Sequence, residues 1–209
     1  VIEEDRYLMI WDGLKLTALI SLLAGLLGTL LGALVCWMRM SRIALFRNVA
    51  RIYVSIMRGT PVLVLLMLMF YVVFAGTSVD AIAVSIITFG MNFAAYVSEM
   101  FRSSIESVDR GQTEAGVALG FTPVQTFFHI VMPQAFKQVL PVYKGELISL
   151  IKMTSIVGYI AVQDLTKVSD IIRSRTFDAF FPLLMVALLY FLLAWIFASI
   201  LDFIGKKTS

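Results

Sequence analysis

The chain alternates long apolar runs with short polar stretches, and the runs have the length of membrane crossings. A helix needs about 20 predominantly apolar residues to cross a bilayer, with a range of roughly 17–25. Residues 16–38 and 180–201 meet this without a charged side chain. Residues 62–75 are apolar but, at roughly 1.5 Å per residue, fall short of a core about 30 Å thick. That crossing needs an earlier start through Ile52–Met57, with Arg58 and Pro61 at a bend. Residues 81–101 are long enough but carry Asn92, Tyr96 and Glu99; residues 139–163 are long enough but carry Lys144, Glu146 and Lys152. The pattern predicts an all-α, polytopic membrane protein with five transmembrane helices in a single transmembrane domain over 1–209.

Composition agrees. Of the 209 residues 60% are hydrophobic and 15% charged, and the mean hydropathy is +0.91. Soluble domains run nearer 45–50% apolar and about 25% charged. A soluble core of this length cannot hide so much apolar side chain, which excludes most soluble enzymes, secreted disulfide scaffolds and nucleic-acid readers. The lone Cys36 excludes an internal disulfide. The net charge of +3 reflects topology. Arg39, Arg42, Arg47, Arg51, Arg58, Arg102, Arg110, Lys137, Lys206 and Lys207 fall on one side of the membrane. Arg6, Lys15, Lys167, Arg173 and Arg175 fall on the other. The side rich in lysine and arginine is cytoplasmic, so the N-terminus is expected outside and the C-terminus inside. A chain opening on Val1 points to further residues upstream, and residues 1–12 lack the basic start of a signal peptide.

Residues 102–138 form the longest connection, and a long loop inside a compact protein is usually functional. Gln112–Leu119 predicts a short helix stopped by Gly120. Thr122 then reads as an N-cap with Pro123 at the first helical position, opening a second helix that Pro133 interrupts. The stretch from Glu114 reads Glu-Ala-Gly, three residues, Gly120, nine residues, then Ile130-Val131-Met132-Pro133. It resembles the cytoplasmic EAA loop of ABC importer permeases, with Gly116 in place of the second alanine and Met132 in place of leucine. Arg58–Pro61, Asn92–Arg102, Gln112–Gly120, Pro133–Ala135 and Leu150–Ser155 extend the resemblance to the polar amino acid subfamily, from about residue 13 to 204.

The resemblance implies a type I ABC importer permease fold in a bacterial cytoplasmic (inner) membrane. It implies two permease subunits, identical or paralogous, on a cytoplasmic ABC ATPase dimer that binds ATP and Mg. A solute-binding protein, separate or fused upstream of Val1, would deliver the substrate. The loop at 102–138 would be the coupling element, with Glu114 as its charged contact, Ala115 and Gly116 as a face for close approach, Gly120 as the turn, and Pro133 closing the motif. The permease itself would hold no cofactor, and nucleic acid is no partner.

Ionisable groups inside a bilayer are expensive and face the bundle interior or a cavity. Asn92, Tyr96 and Glu99 fall on one helical face, and Glu99 is spaced to pair with Arg102. With Lys152, Thr154 and Ser155 they offer the donors and acceptors a zwitterionic amino acid requires. The competing reading of this set is hydrogen bonding between helices. Lys144 and Glu146 are expected near an inner helix end. Gly25, Gly28 and Gly32 permit close helix approach, within the chain or to a second subunit. Residues 39–58 read as an amphipathic helix lying on the anionic inner leaflet, and residues 164–178 as a polar outer surface segment. His129, the only histidine, is a loop or interface residue. Gly205-Lys206-Lys207-Thr208 fails as a P-loop, because Ile200 and Lys207 replace its required glycine and hydroxyl residue. ATP hydrolysis therefore belongs to another chain. Two alternatives stand beside the amino-acid importer: an importer of another solute, and an ATP-independent channel or transporter. An odd number of spans argues against the inverted repeats of many secondary transporters.

Overall fold

The computed structural model describes residues 6–207; the acidic residues Glu3–Asp5 and Thr208 of the tail lie outside the described residues. Every regular element among the described residues is a helix. In order these are α1 (Arg6–Met40), α2 (Ala44–Gly59), α3 (Val62–Leu68), α4 (Ala81–Glu106), α5 (Arg110–Ala118), α6 (Pro123–Thr126), α7 (Met132–Met153), α8 (Leu165–Thr176) and α9 (Phe180–Lys207). A π-helical turn at Met69–Val73 extends α3, another at Phe127–Val131 joins α6 to α7, and a 3-10 stretch at Thr154–Ile160 prolongs α7.

The core forms where α1 and α4 nearly touch. Added β-carbons at Gly28 and Gly32 would sit 2.8 Å from the Gly90 carbonyl oxygen and 2.6 Å from Val97 Cγ1. In return, Leu27 of α1 lies over Gly90 of α4, 2.8 Å from where a β-carbon would stand. Small residues let two backbones approach where lipid gives no hydrophobic drive for helix association. One turn earlier, a β-carbon added at Gly25 would stand 3.2 Å from Leu147 Cδ1 of α7. The glycines thus pack within the chain. Ile20, Leu66, Phe89, Phe93, Val97 and Leu150 fill the space around this seam. Phe93 meets Tyr143 of α7 edge-on at 5.8 Å, and Tyr143 shares a 2.7 Å hydrogen bond with Thr29 of α1.

α1, α4 and α9 are long and apolar enough to cross a membrane alone. Two further crossings arise only by counting a bent pair as one: α2 with α3, at 108°, and the run 123–160 with α8, at 55°. The first bend follows from Pro61. Thr60, the residue before it, is extended at φ −108° and ψ 133°, because a proline ring disfavours helical geometry at the preceding position.

The structure departs from the sequence pattern in four places. α1 begins ten residues before the predicted apolar run, and its early turns pack on α8, where a β-carbon added at Gly13 would stand 3.1 Å from Val168 Cγ2. α8 is no mere surface segment: Leu165, Val168, Ser169 and Ile172 are buried. Its N-cap Asp164 is fully buried, accepts from Thr166 N (3.1 Å) and Lys167 N (3.0 Å), and takes a hydrogen bond from Tyr190 of α9 at 2.9 Å. α2 does not simply lie along the inner surface, because its far end is tied to the middle of α4. Tyr53 Oη donates to the Met91 carbonyl (2.5 Å) and Asn92 Nδ2 to the Met57 carbonyl (2.9 Å). Ala50 and Val54 are buried there, while Leu45, Val49, Ile52 and Ile56 form an exposed apolar stripe. Lastly, Pro133 does not interrupt the second loop helix, which continues into α7.

Replacing Gly28 with alanine forces a methyl group onto a backbone oxygen that cannot rotate away. Overpacking costs of about 1–3 kcal/mol are typical, so Gly28→Ala should lower the thermal midpoint of the purified protein. Gly25→Ala meets only the movable methyl of Leu147 and should lower it less. Equal midpoints for the two variants would contradict the close α1–α4 approach.

Candidate functional site

The loop after α4 folds into two capped helices. Asp109 caps α5 by accepting from Gly111 N at 2.6 Å. At the other end Gly120 takes the left-handed conformation (φ +86°). Gly120 N donates to the Val117 carbonyl at 2.9 Å and Phe121 N to the Gly116 carbonyl at 3.1 Å. That pair of bonds is a Schellman closure, which satisfies carbonyls the helix end would otherwise orphan. Thr122 then caps α6 reciprocally: Thr122 N donates to Gln125 Oε1 (2.9 Å), and Gln125 N donates to Thr122 Oγ1 (3.3 Å). A capping box of this kind fixes a helix start within one turn.

Gly116 is the only buried residue of α5. A β-carbon there would stand 2.7 Å from Thr126 Cγ2 and 2.9 Å from Ile130 Cδ1. The departure from the usual second alanine of the motif is therefore a packing requirement at the crossing of α5 over the second helix. Glu114, Ala115 and Gly120 are exposed. So are Val117 and Leu119, the latter at 74%, and Val124 of α6. The two helices present acid and apolar side chains outward while gripping each other through Gly116.

The second helix reaches α7 through the π turn. Proline lacks an N–H and crowds the carbonyl four residues back, and an added residue in the turn accommodates it. Pro133 is exposed at the start of α7. Gln134 Nε2 donates to the Ile130 carbonyl at 2.9 Å. His129 Nδ1 lies 2.9 Å from the Gln125 carbonyl, which requires the proton on Nδ1. His129 serves this turn and stacks beside Phe121.

The candidate substrate residues divide into two groups. Asn92, Glu99 and Thr154 are occupied within the chain. Asn92 is buried and holds the Met57 carbonyl. Both Glu99 oxygens are engaged, one by Arg39 of α1 and the other by Arg102, which also reaches Glu106. The spacing of Glu99 and Arg102 anticipates that pair; Arg39 comes from a distant helix and leaves no local signal. Thr154 Oγ1 donates to the Ile151 carbonyl at 2.7 Å. Tyr96, Lys152 and Ser155 are accessible. Glu99 and Lys152 do not converge. From the level where Phe93 meets Tyr143, Glu99 lies six residues toward the α5 end and Lys152 nine residues the other way, a separation of about 22 Å.

Two residues outside the predicted set join the accessible group. Arg58, at the end of α2, stands over the Tyr96 ring at 5.2 Å and is within electrostatic reach of Glu146. Glu146 is half-buried on α7, away from either end, where Ser149 and Lys152 follow at successive three-residue steps. Arg58 beside the Pro61 bend and Glu146 inside an apolar span were the sequence signals for this cluster. Lys144 turns elsewhere and pairs with Asp202 of α9 at 2.7 Å.

Residues 19–209 match the family described as binding-protein-dependent transport system inner membrane component. The chain belongs to that family. It is 36% identical over 207 residues to the probable amino-acid ABC transporter permease protein YckA of Bacillus subtilis (strain 168), covering 99% of this chain and 91% of that one. It is 34% identical over 207 residues to the putative glutamine transport system permease protein GlnP of Rickettsia typhi (strain ATCC VR-144 / Wilmington), covering 97% and 94%. A solved crystal structure of an amino acid ABC transporter with histidines is similar at 34% identity and a TM-score of 0.86, over 95% of this chain and 94% of that one.

Substituting Gly120 with alanine places a β-carbon in a left-handed conformation, at a cost of roughly 1–2 kcal/mol. Amide exchange across 110–121 should then speed up by about five-fold or more. An unchanged exchange rate would show that the Schellman closure does not hold α5.

Proposed function

We propose that this chain is the transmembrane permease subunit of an ATP-driven importer for a polar amino acid. In this reading the chain crosses the membrane five times, each bent pair counted once, so the termini lie on opposite sides, and the lysine and arginine bias of the loops favours the N-terminus outside and the α5–α6 unit and C-terminus in the cytoplasm of a bacterial inner membrane. Chain 1–209 is one permease domain, paired with a second permease subunit and fed by a solute-binding protein. A separate ABC ATPase dimer binds ATP and Mg and performs the hydrolysis; this chain is not an enzyme.

The observation that carries the reading is the form of the α5–α6 unit. Each of its helices starts at a side-chain cap, α5 ends in the backbone closure at Gly120, and the unit is joined without a break to α7 while leaving Glu114, Ala115, Val117 and Leu119 uncovered by the rest of the chain. A rigid handle of this kind transmits displacement because packed helices shift as bodies. Motion of the ATPases at Glu114 and Gly120 passes through Gly116 into the second helix, across Pro133, and along α7 to Glu146 and Lys152.

The substrate path follows the accessible group. Arg58 beside Tyr96 offers donors to an α-carboxylate and Glu146 offers an acceptor to an ammonium group, while Ser149, Lys152 and Ser155 extend the polar face further along α7 and past its end. Asn92, Glu99 and Thr154 flank it as braces in this conformation. The relatives named for amino-acid and glutamine transport support a zwitterionic substrate.

Glu114→Lys and Gly120→Pro should leave membrane insertion intact and abolish ATPase association or coupled uptake; unchanged uptake would overturn the coupling role. Glu146→Gln should lower uptake about ten-fold or more, the scale of losing a hydrogen bond to a charge, while the complex still assembles. Wild-type uptake by Glu146→Gln would remove it from the path.

A further inference from the structure

A cleft of about 410 Å3 opens between the first half of α7 and the last turns of α9. It lies off the substrate face and does not involve α5. Its walls are held together at two points. Lys144 of α7 bonds Asp202 of α9 at 2.7 Å. Gly205 stands where a β-carbon would come 2.5 Å from Leu140 Cδ2. The floor is apolar, with Phe136, Leu140 and Leu201. Lys137 and Lys206 complete the rim; both are exposed, and neither forms an ion pair among the described residues. Counting Lys144 and Asp202 as neutralising each other, the mouth carries two uncompensated positive charges above an apolar slot.

We propose that this cleft binds an anionic phospholipid of the inner leaflet, with the phosphate between Lys137 and Lys206 and an acyl chain along Phe136 and Leu140. The charge pattern selects the occupant. A neutral lipid leaves two cations unmatched, and a soluble anion leaves the apolar floor wet. Lysine side chains at a membrane surface snorkel their ammonium groups to headgroup level, and basic pockets between helices on the cytoplasmic side suit anionic headgroups. The cleft volume falls within the roughly 300–1,000 Å3 of small-molecule sites. Phe136 and Lys137 sit one turn past Pro133 on the helix that leaves the π turn, so an occupied cleft would tie α9 to the stretch that carries motion from α5.

The inner-leaflet placement rests on the orientation given under the proposed function. The test separates the two. The intact importer complex is reconstituted in nanodiscs of phosphatidylcholine alone or with phosphatidylglycerol, then examined by native mass spectrometry. Wild type should retain one phosphatidylglycerol per copy of this chain in preference to phosphatidylcholine. Retention should weaken about five-fold for Lys137→Gln or Lys206→Gln and about twenty-five-fold for the double variant, the scale of one surface lysine each. Lys137→Arg with Lys206→Arg should restore it. ATP-driven uptake in phosphatidylcholine vesicles reads the importer function independently. Three results would overturn the proposal. These are equal retention of the two lipids by wild type, undiminished phosphatidylglycerol retention in the double variant, and a cross-link from Lys206 to a neighbouring subunit in the assembled complex.

Discussion

The close approach of α1 and α4 is the constraint on which the other positions depend. Gly28 and Gly32 leave no room for a β-carbon against Gly90, Ala94 and Val97, so the register of the two helices is set to within a residue. α4 then carries Asn92 to the end of α2 and Tyr96 beneath Arg58. α1 carries Gly25 and Thr29 to α7 and Arg39 to Glu99. A shift of one residue along this seam would rotate each contact by about 100° around the helix and dissolve all of them together.

Helical continuity past Pro133 joins the α5–α6 unit to α7 as one element. A break would have left α5 and α6 as a loose appendage. The π turn instead absorbs the proline, and the side chains of Gln134 and His129 occupy the Ile130 and Gln125 carbonyls. Stiffness at the caps and continuity at the proline are both local chemistry, and together they place the exposed acid of Glu114 at one end of an element whose other end reaches Lys152.

The polar residues of the spans illustrate how one residue type serves two purposes. Asn92 and Glu99 find partners on other helices and become braces. Arg58, Glu146 and Lys152 remain accessible, and a polar group in that state inside a membrane needs water, a substrate or a second subunit to face. Partner availability separates the two groups, and residue type does not.

The sequence by itself determined the all-helical class, two of the long spans, the capped turn at Gly120 and Thr122, and the Glu99–Arg102 pair. These depend on apolar run length, backbone chirality and neighbours three or four residues apart, all of which are local. Tertiary structure alone decided that Pro133 is absorbed, that Asp164 and α8 are buried, that Arg39 claims Glu99, and that Gly116 must lack a side chain. Each of these turns on an atom contributed from elsewhere in the fold or on the geometry of a continuing helix. Such partners, often more than twenty residues away, leave no periodic trace in the chain.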